Sequence, residues 1–369
     1  MGTNQLREIE AEGQAVWLDN ISRALLEDGE LERLVQEDGI SGVTSNPTIF
    51  EKAIGGSDRY DETLAAAAEK GLDARETFFE LGFQDIRAGC DVLRGVFDDT
   101  EGKDGYVSFE LPPELSDDAQ GSVEQAKVIK ERIDRSNVLI KVPGTEAGVE
   151  AFEDLTAAGV NVNVTLLFDV RRYERVAEAY LRGLERRSEA GEPIDLASSV
   201  ASFFVSRVDG KIDARLEELG REDLMGKAAV ANARIAYESF QRIFSGERWE
   251  KLAAQGAAVQ RPLWASTSTK NPDYPDTLYV DELIGPDTVN TMPDATVEAA
   301  RDHATVARTI DKDVEGAHKL MNELREIGVD VDDIVGRELV EDGVASFSKS
   351  FESMLDTIKE KAGSVTAGS

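Results

Sequence analysis

The stretch NVLIKVPGTEAG, residues 137–148, decides the fold of this chain. Its apolar run at residues 138–140 leads into Lys141 and then Val142, a pattern that predicts a buried β-strand with a lysine near its end. Burial disfavours the ammonium form of a lysine, and the neutral amine is a nucleophile that attacks a ketone to form an imine. The alternative is that Lys141 reaches out to solvent or pairs with a carboxylate.

Outward from this stretch, short apolar runs alternate with longer segments rich in Ala, Leu, Glu and Arg, which is typical of βα units and a parallel sheet. The candidate strands are residues 14–19, 40–45, 105–110, 137–142, 159–166, 195–203, 261–266 and 287–291. An alternative for the last strand is residues 277–280. Eight strands close a (β/α)8 TIM barrel, so we predict this α/β fold.

Helical patterns fill the intervals between the strands. The candidates are residues 22–38, 73–97, 169–188, 222–244 and 296–327. The intervals 46–105 and 207–261 are long enough that each must hold two or more helices. Because no linker rich in Gly, Pro or Ser interrupts the chain, we predict a single barrel domain over residues 1–369 with additional helices. We expect frayed ends at about residues 1–12 and 363–369.

Composition excludes several classes of partner and site. The formal net charge is −32, from 41 basic and 73 acidic residues, so a nucleic acid partner would be repelled. No apolar run is long enough to span a membrane, and the polar N-terminal segment has no secretory signal, so we expect a cytoplasmic protein. With Cys90 alone no intrachain disulfide can form, and the spacing of His303 and His318 predicts no metal site.

The acidic residues are spread along the whole chain rather than gathered in a tail. This distribution indicates adaptation to high salt, or at least strong selection for solubility. A phosphorylated substrate would then need a local cationic pocket within an acidic protein.

Polar residues end almost every candidate strand. They are Asp19, Asn46, Glu110, Lys141, Thr165, Ser202 and Ser266. In a TIM barrel the carboxyl ends of the strands line the face where active sites lie, so these side chains would converge on one cavity. The alternative is that Asp, Asn and Ser end strands because turns begin there. Seven strands ending in this way, with a lysine and a glutamate among them, favour an active site.

These residues suit the chemistry of carbon–carbon bond cleavage. An imine on Lys141 would be an electron sink next to the bond that breaks. Cleavage needs a base for a hydroxyl proton, and loss of water needs an acid or base, so Asp19 and Glu110 supply two carboxylates for two roles.

Two cations follow the sixth and seventh candidate strands. Arg207 lies between a strand and a helix, which suits phosphate binding, although a salt bridge to Asp209 or Asp213 at the helix start is the alternative. Lys270 could add a second phosphate contact, or it could simply be solvated.

Six segments, in this order, resemble the transaldolase family. They are VWLDNISR, GVTSNPTIF, SFE, NVLIKVPGTEAG, VNVTLLF and SFFVSR, and the resemblance covers roughly residues 14–293. The strings TSNPTIF and LIKVPGT are specific to the family. Some members have an Arg two residues after the Ser of the seventh strand. Here Thr267 and Ser268 follow Ser266, the next cation is Lys270, and this segment resembles the longer bacterial and plant-type branch.

The resemblance implies a catalytic role for four residues. Lys141 is the nucleophile that forms the imine. Glu110 acts as acid and base through a water that Thr165 helps to hold. Asp19 takes the proton during carbon–carbon cleavage.

The resemblance also implies five substrate-binding residues. Asn46 and Ser202 hold substrate hydroxyl groups, Arg207 binds the phosphate, and Ser266 and Lys270 complete the phosphate end of the site.

The implied reaction moves a dihydroxyacetone unit from sedoheptulose 7-phosphate to glyceraldehyde 3-phosphate, giving erythrose 4-phosphate and fructose 6-phosphate. It belongs to the non-oxidative pentose phosphate pathway and needs no metal or organic cofactor. We expect phosphorylated sugars as ligands, no nucleic acid or membrane partner, and a monomer or homodimer. The competing interpretations are a related imine-forming aldolase that releases dihydroxyacetone, and a barrel without enzymatic activity.

Overall fold

A closed barrel of parallel strands forms the centre of the computed structural model, which describes residues 4–367. Within those residues its strands are β1 (Gln14–Leu18), β2 (Ile40–Thr44), β3 (Val107–Glu110), β4 (Val138–Pro143), β5 (Val162–Leu167), β6 (Ser199–Phe204), β7 (Arg261–Ala265) and β8 (Thr288–Met292). They follow one another around the barrel, and β8 pairs in parallel with β1. The predicted TIM barrel and its strands are therefore confirmed. The alternative eighth strand at residues 277–280 is wrong, because Leu278–Asp281 is a short helix.

Helices surround the barrel. The α-helices are Gln5–Ala11, Arg23–Glu27, Glu30–Arg33, Pro47–Gly55, Asp61–Glu69, Ala74–Val92, Arg94–Asp99, Ala119–Ile133, Glu146–Ala157, Val170–Glu189, Ser206–Glu218, Ala228–Ile243, Gly246–Ala253, Leu278–Asp281, Asp294–His303, Val314–Glu326, Val331–Asp333 and Leu339–Ala367. Short 3-10 turns are Asp58–Tyr60, Pro113–Leu115 and Glu222–Leu224, and π-helical turns are Leu34–Asp38 and Ile334–Glu338. Both long intervals hold several helices, as predicted.

Four predicted helices differ from those observed: the one over residues 73–97 is interrupted at Leu93, the one over 222–244 becomes an α-helix only at Ala228, and two more are broken. The helix expected over residues 22–38 is interrupted at Gly29, whose φ of 73° lies in the left-handed region that glycine tolerates. The helix expected over residues 296–327 stops at His303 and resumes at Val314. In the connection, the amide N–H groups of Thr309 and Ile310 donate to the carbonyl of Ile284, and the buried Ile310 side chain holds the segment against the core.

The structure describes helix in parts of both chain ends for which the sequence predicts fraying. Gln5–Ala11 is a helix whose side chains Leu6 and Ile9 are buried, and Asn4 begins it by accepting a hydrogen bond from the Leu6 amide. At the other end, the helix Leu339–Ala367 includes residues 363–367 of the expected frayed tail. Residues 1–3 and 368–369 lie outside the described part of the chain.

The amino-terminal half of the barrel is closed by packed side chains. Trp17, Leu139, Val200, Leu263 and Val289 form a buried apolar cluster inside it. Below the cluster, Asp104 accepts hydrogen bonds from the Trp17 indole at 2.9 Å and from Arg261 at 3.2 Å. A ligand that enters the barrel therefore does so at the carboxyl ends of the strands.

The helix Leu339–Ala367, called here the C-terminal helix, lies over that carboxyl end. Its Phe351 ring packs edge-on against Phe78, with the ring centroids 5.7 Å apart. Its Ser350 hydroxyl accepts a hydrogen bond from Thr48 on the helix Pro47–Gly55. The C-terminal helix thus covers one side of the barrel mouth. The sequence predicted no helix over residues 339–362 and a frayed tail only from about residue 363.

The excess of acidic over basic residues should make the stability depend on salt. Between about 0.1 M and about 1 M salt the Debye length falls from about 10 Å to about 3 Å, which screens repulsion among exposed carboxylates. We expect the thermal midpoint of unfolding to rise over this range of KCl, measured by circular dichroism. A midpoint that does not change would refute adaptation to high salt.

Candidate active site

A cavity of about 710 Å³ opens at the carboxyl ends of the strands, beside the C-terminal helix. It brings together every side chain that the sequence predicted for the site. They are Asp19, Asn46, Glu110, Lys141, Thr165, Ser202, Arg207, Ser266 and Lys270. Their convergence follows from the fold, since successive parallel strands present their carboxyl ends at one face. Their individual roles stay predictions.

Lys141 lies on β4 and points into the cavity. Its side chain is only 9% exposed, and its Nζ lies 2.7 Å from Glu110 Oε1. The same Nζ donates a hydrogen bond to the Ser45 carbonyl at 2.8 Å. The alternative in which the amine extends into solvent is therefore wrong, whereas the pairing with a carboxylate is present inside the predicted site.

Glu110 is directly beside Lys141, because the two residues are partners in the β3–β4 register. Burial raises the pKa of the Glu110 carboxyl, and the attraction of Lys141 opposes that rise. Its second oxygen, Oε2, is buried and has no hydrogen-bond partner within residues 4–367. A buried acceptor without a hydrogen bond lowers the stability of the fold. At a site that a ligand enters, this oxygen can take up a proton or accept a hydrogen bond from a water.

Asp19 follows β1 and is held by threonines. Thr44 donates a hydrogen bond to Asp19 Oδ1 at 2.7 Å. The hydroxyl of Thr291 lies 2.6 Å from that of Thr44, and because Thr44 gives its proton to Asp19, Thr291 is the donor in this second contact. Burial raises the pKa of Asp19, and Lys141 and the Thr44 hydrogen bond oppose the rise.

Thr44 and Thr291 were not singled out from the sequence. Threonine is common in strands, so a threonine at a strand end carries no signal of its own.

The two carboxyl groups of the site have different surroundings: Lys141 lies beside Glu110, and Thr44 donates to Asp19. This difference suits two separate acid–base roles.

Ser202 ends a chain of buried polar groups. Its hydroxyl donates to Asn163 Oδ1 at 2.6 Å, and the Asn163 amide donates to the Ser108 hydroxyl at 3.1 Å. Since the Ser202 proton is used in this contact, its oxygen is left as an acceptor for a ligand hydroxyl.

Asn46 has a structural function as well as a place in the cavity. It begins the helix Pro47–Gly55, and its side-chain oxygen accepts a hydrogen bond from the Ile49 amide at 3.0 Å. The structural alternative predicted for polar residues at strand ends is a turn; here the residue instead caps a helix. The side-chain amide N–H₂ group of Asn46 remains available as a donor.

Arg207 lies at the start of the helix Ser206–Glu218, with its guanidinium 5.1 Å from the centre of the Phe204 ring. Within residues 4–367 no carboxylate pairs with it. The predicted alternative of a salt bridge to Asp209 or Asp213 is wrong, because these carboxylates accept hydrogen bonds from the hydroxyls of Tyr279 and Tyr274. Arg207 is therefore free to bind an anion.

Lys270 and Ser266 lie on the neighbouring loop after β7. Lys270 Nζ donates to the Ser268 hydroxyl at 2.8 Å and is exposed at the edge of the cavity. Ser266 has a φ of 57° and contacts the Ser206 hydroxyl at 2.8 Å. The phosphate end predicted from the sequence thus has two cations that form no salt bridge among the described residues. The nearby carboxylate of Asp342, which acts on Arg207 electrostatically, forms its salt bridge with Lys211 at 2.8 Å.

The described residues contain no group of His, Cys, Asp and Glu side chains that could hold a metal ion, and none of their helices is long and apolar enough to cross a membrane.

Comparison with known proteins shows that residues 16–358 match the family described as Transaldolase/Fructose-6-phosphate aldolase. The chain belongs to this family.

Several curated transaldolases are similar to the chain over almost its full length. Transaldolase 2 of Nostoc sp. is 46% identical, over 98% of this chain and 98% of the relative. Transaldolase of Parafrankia sp. is 49% identical, over 98% of this chain and 99% of the relative. Transaldolase of Trichodesmium erythraeum is 43% identical, over 99% and 100%. The predicted resemblance to transaldolases is therefore confirmed, and the chain is an enzyme of the transaldolase class.

Proposed function

We propose that this chain moves a dihydroxyacetone unit from sedoheptulose 7-phosphate to glyceraldehyde 3-phosphate through an imine on Lys141. The products are erythrose 4-phosphate and fructose 6-phosphate, as in the non-oxidative pentose phosphate pathway. The observation that carries the proposal is the buried Lys141 Nζ, 2.7 Å from Glu110 in the cavity of a chain of the transaldolase family.

Imine formation needs a neutral amine. Because burial raises the pKa of Glu110, this carboxylate can accept a proton from the ammonium group of Lys141. The amine nitrogen then bonds to the ketone carbon, and one of its protons moves to the ketone oxygen to give a carbinolamine. Loss of that hydroxyl as water needs a proton, which Glu110 supplies through a water held with Thr165.

Cleavage uses the second carboxylate. Asp19 accepts the proton of the hydroxyl group on the carbon beyond the bond that breaks, and the electrons of that bond move into the protonated imine. An aldehyde leaves and a three-carbon enamine remains on Lys141. The enamine attacks the aldehyde of the acceptor, and the steps then run in reverse. Since the imine itself holds the electrons, we propose that neither a metal nor an organic cofactor takes part.

Substrate binding uses the remaining residues of the cavity. The Asn46 amide N–H₂ group and the Ser202 oxygen would hold hydroxyl groups of the three-carbon unit. Arg207 can bind a phosphate through its planar fork, whereas Lys270 contributes a point charge. Ser266 follows β7 directly and lies between Arg207 and Lys270 in the chain. Because both cations lie on the loops after β6 and β7, the sugar would bind in one orientation, with its phosphate toward those loops.

The test is the fate of the three-carbon unit. We expect fructose 6-phosphate to be consumed rapidly only when erythrose 4-phosphate is present as acceptor, with sedoheptulose 7-phosphate formed in equal amount. An aldolase would instead release free dihydroxyacetone without an acceptor. If erythrose 4-phosphate does not accelerate the consumption of fructose 6-phosphate, the proposed transfer reaction is wrong.

Arg207→Ala should raise KM for phosphorylated sugars about 10- to 100-fold, because hydrogen bonds to a charged group contribute roughly 1.5–3 kcal/mol. Steady-state kinetics with fructose 6-phosphate would measure the change. The matched control is Arg215→Ala on the same helix, where the exposed guanidinium pairs with Glu218. Arg207→Lys should have an intermediate effect, since it keeps the charge and loses the fork. An unchanged KM in Arg207→Ala would remove this residue from the phosphate site.

We also propose that residues 1–369 form one domain that works in the cytoplasm, where phosphorylated sugars are retained by their charge. The proposed assembly is a monomer or a homodimer. Light scattering after size-exclusion chromatography would distinguish them, and a larger assembly would contradict the proposal.

A further inference from the structure

Leu166, the residue after Thr165 on β5, has an unusual backbone. Its φ of 59° lies in the left-handed region, which residues with a side chain other than Asn and Asp rarely adopt. Backbone strain of this kind persists only where the surrounding structure holds it, and it is concentrated at functional sites.

The strain coincides with a bulge in the barrel. In the β5–β6 register Val164 pairs with Ala201 and Leu167 pairs with Phe203, so Thr165 and Leu166 together lie opposite one residue, Ser202. Bulges beside active sites change the direction in which a side chain points. This bulge sets the direction of Thr165, and the Thr165 carbonyl is fixed on its other side by the Gly144 amide at 2.6 Å.

Glycine would adopt this backbone without strain, so the leucine side chain itself needs an explanation. Leu166 is 7% exposed and packs against the C-terminal helix at Gly343. A Cβ atom added to Gly343 would lie 2.9 Å from Leu166 Cδ2, closer than real Cβ contacts. The helix backbone therefore rests on the leucine side chain, and both residues line the cavity.

We propose that Leu166 is a positioning residue, through which the packing of the C-terminal helix at Gly343 sets the direction of the Thr165 hydroxyl. The inference rests on the proposed function, since it gives Thr165 the task of holding the water that Glu110 uses. Proton transfer is then fast only when the helix is packed on the bulge. Phosphate binding at Arg207 does not depend on this contact.

Two glycines of the C-terminal helix provide a matched test. Gly343→Ala and Gly363→Ala both raise helix propensity, but a Cβ at Gly363 would have no atom of residues 4–367 within 4 Å. We expect Gly343→Ala to lower kcat, because the new Cβ lies 2.9 Å from Leu166 Cδ2 and the leucine side chain must shift; the loss reaches about 100-fold where the shift displaces the Thr165 hydroxyl by about 1 Å. KM for fructose 6-phosphate should change far less than kcat, and Gly363→Ala should leave both unchanged. Equal kcat values for the two variants would overturn the inference.

A double-mutant cycle tests the contact itself. Leu166→Ala makes room for the new methyl group, so Gly343→Ala should have little further effect on kcat in a chain that already carries Leu166→Ala. If the two losses multiply instead, the helix does not act through Leu166. Leu166→Gly should fold, because glycine accepts the backbone, and should also lose kcat; full activity in this variant would contradict the inference.

The same experiment separates this inference from the proposed function. Borohydride should trap a substrate adduct on Lys141 in the wild-type chain, in Gly343→Ala and in Gly363→Ala, because the lysine is not displaced. Failure to trap it in the wild type would overturn the proposed function. Trapping with identical kcat values in the two glycine variants would overturn only the role of Leu166.

Discussion

Lys141→Ala is expected to lower kcat by about 10⁴-fold or more, because it removes the nucleophile and with it the whole covalent route, whereas other substitutions remove only a group that assists this route. The barrel should remain folded. Loss of the amine leaves Glu110 without its ion-pair partner, and burial already raises the pKa of this carboxyl, so it can take up a proton instead of remaining an unpaired buried charge. Circular dichroism and a coupled assay would measure the two expectations.

Trapping identifies the nucleophile directly. Borohydride with fructose 6-phosphate should attach a three-carbon adduct to Lys141, found by mass spectrometry of the peptides. Lys130 is the matched control: burial lowers its pKa, but its Nζ donates to the Gly159 carbonyl at 2.6 Å, away from the cavity. Lys130→Ala should retain activity and the adduct. An adduct on Lys130 or Lys270 would show that the site is assigned wrongly.

Glu110→Gln is expected to lower kcat about 10²- to 10⁴-fold, the usual range for loss of a positioned acid or base. The glutamine amide keeps the shape of the side chain and can still accept a hydrogen bond from Lys141, but it cannot carry a proton between steps. Rapid-quench measurements of adduct formation should show that loss of water has become slow.

The control for this prediction is Glu114→Gln, four residues further along the chain. Glu114 is exposed, pairs with Arg75 and does not line the cavity. Its replacement should leave kcat unchanged. If Glu110→Gln retained more than half of the wild-type kcat, Glu110 would have no part in proton transfer.

The sequence predicted those site residues that stand out from the local pattern of apolar residues. Lys141 and Glu110 interrupt or end apolar strands, and a parallel barrel brings strand ends to one face, so their neighbourhood could be inferred without coordinates. The left-handed backbone of Leu166 could not be inferred, since its segment VTLLF reads as an ordinary strand. Bulges depend on the register between strands, which a single strand sequence does not contain.

Long-range packing accounts for the other differences. The cover that the C-terminal helix forms depends on contacts such as Thr48 with Ser350, whose partners lie 302 residues apart. Helix breaks such as the one before Val314 depend on where Ile310 meets the core. Local composition gives no information about either partner, so the sequence predicted one longer helix over residues 296–327 and no cover by residues 339–362.

The order of synthesis gives the C-terminal helix a further consequence. Every side chain proposed for chemistry or binding precedes residue 271, whereas the helix begins at Leu339. A nascent chain that has reached a point between Met292, where β8 ends, and Leu339 contains every barrel strand and every reactive side chain, but its mouth lacks the helix. The cover is therefore the last part of the site to be synthesised.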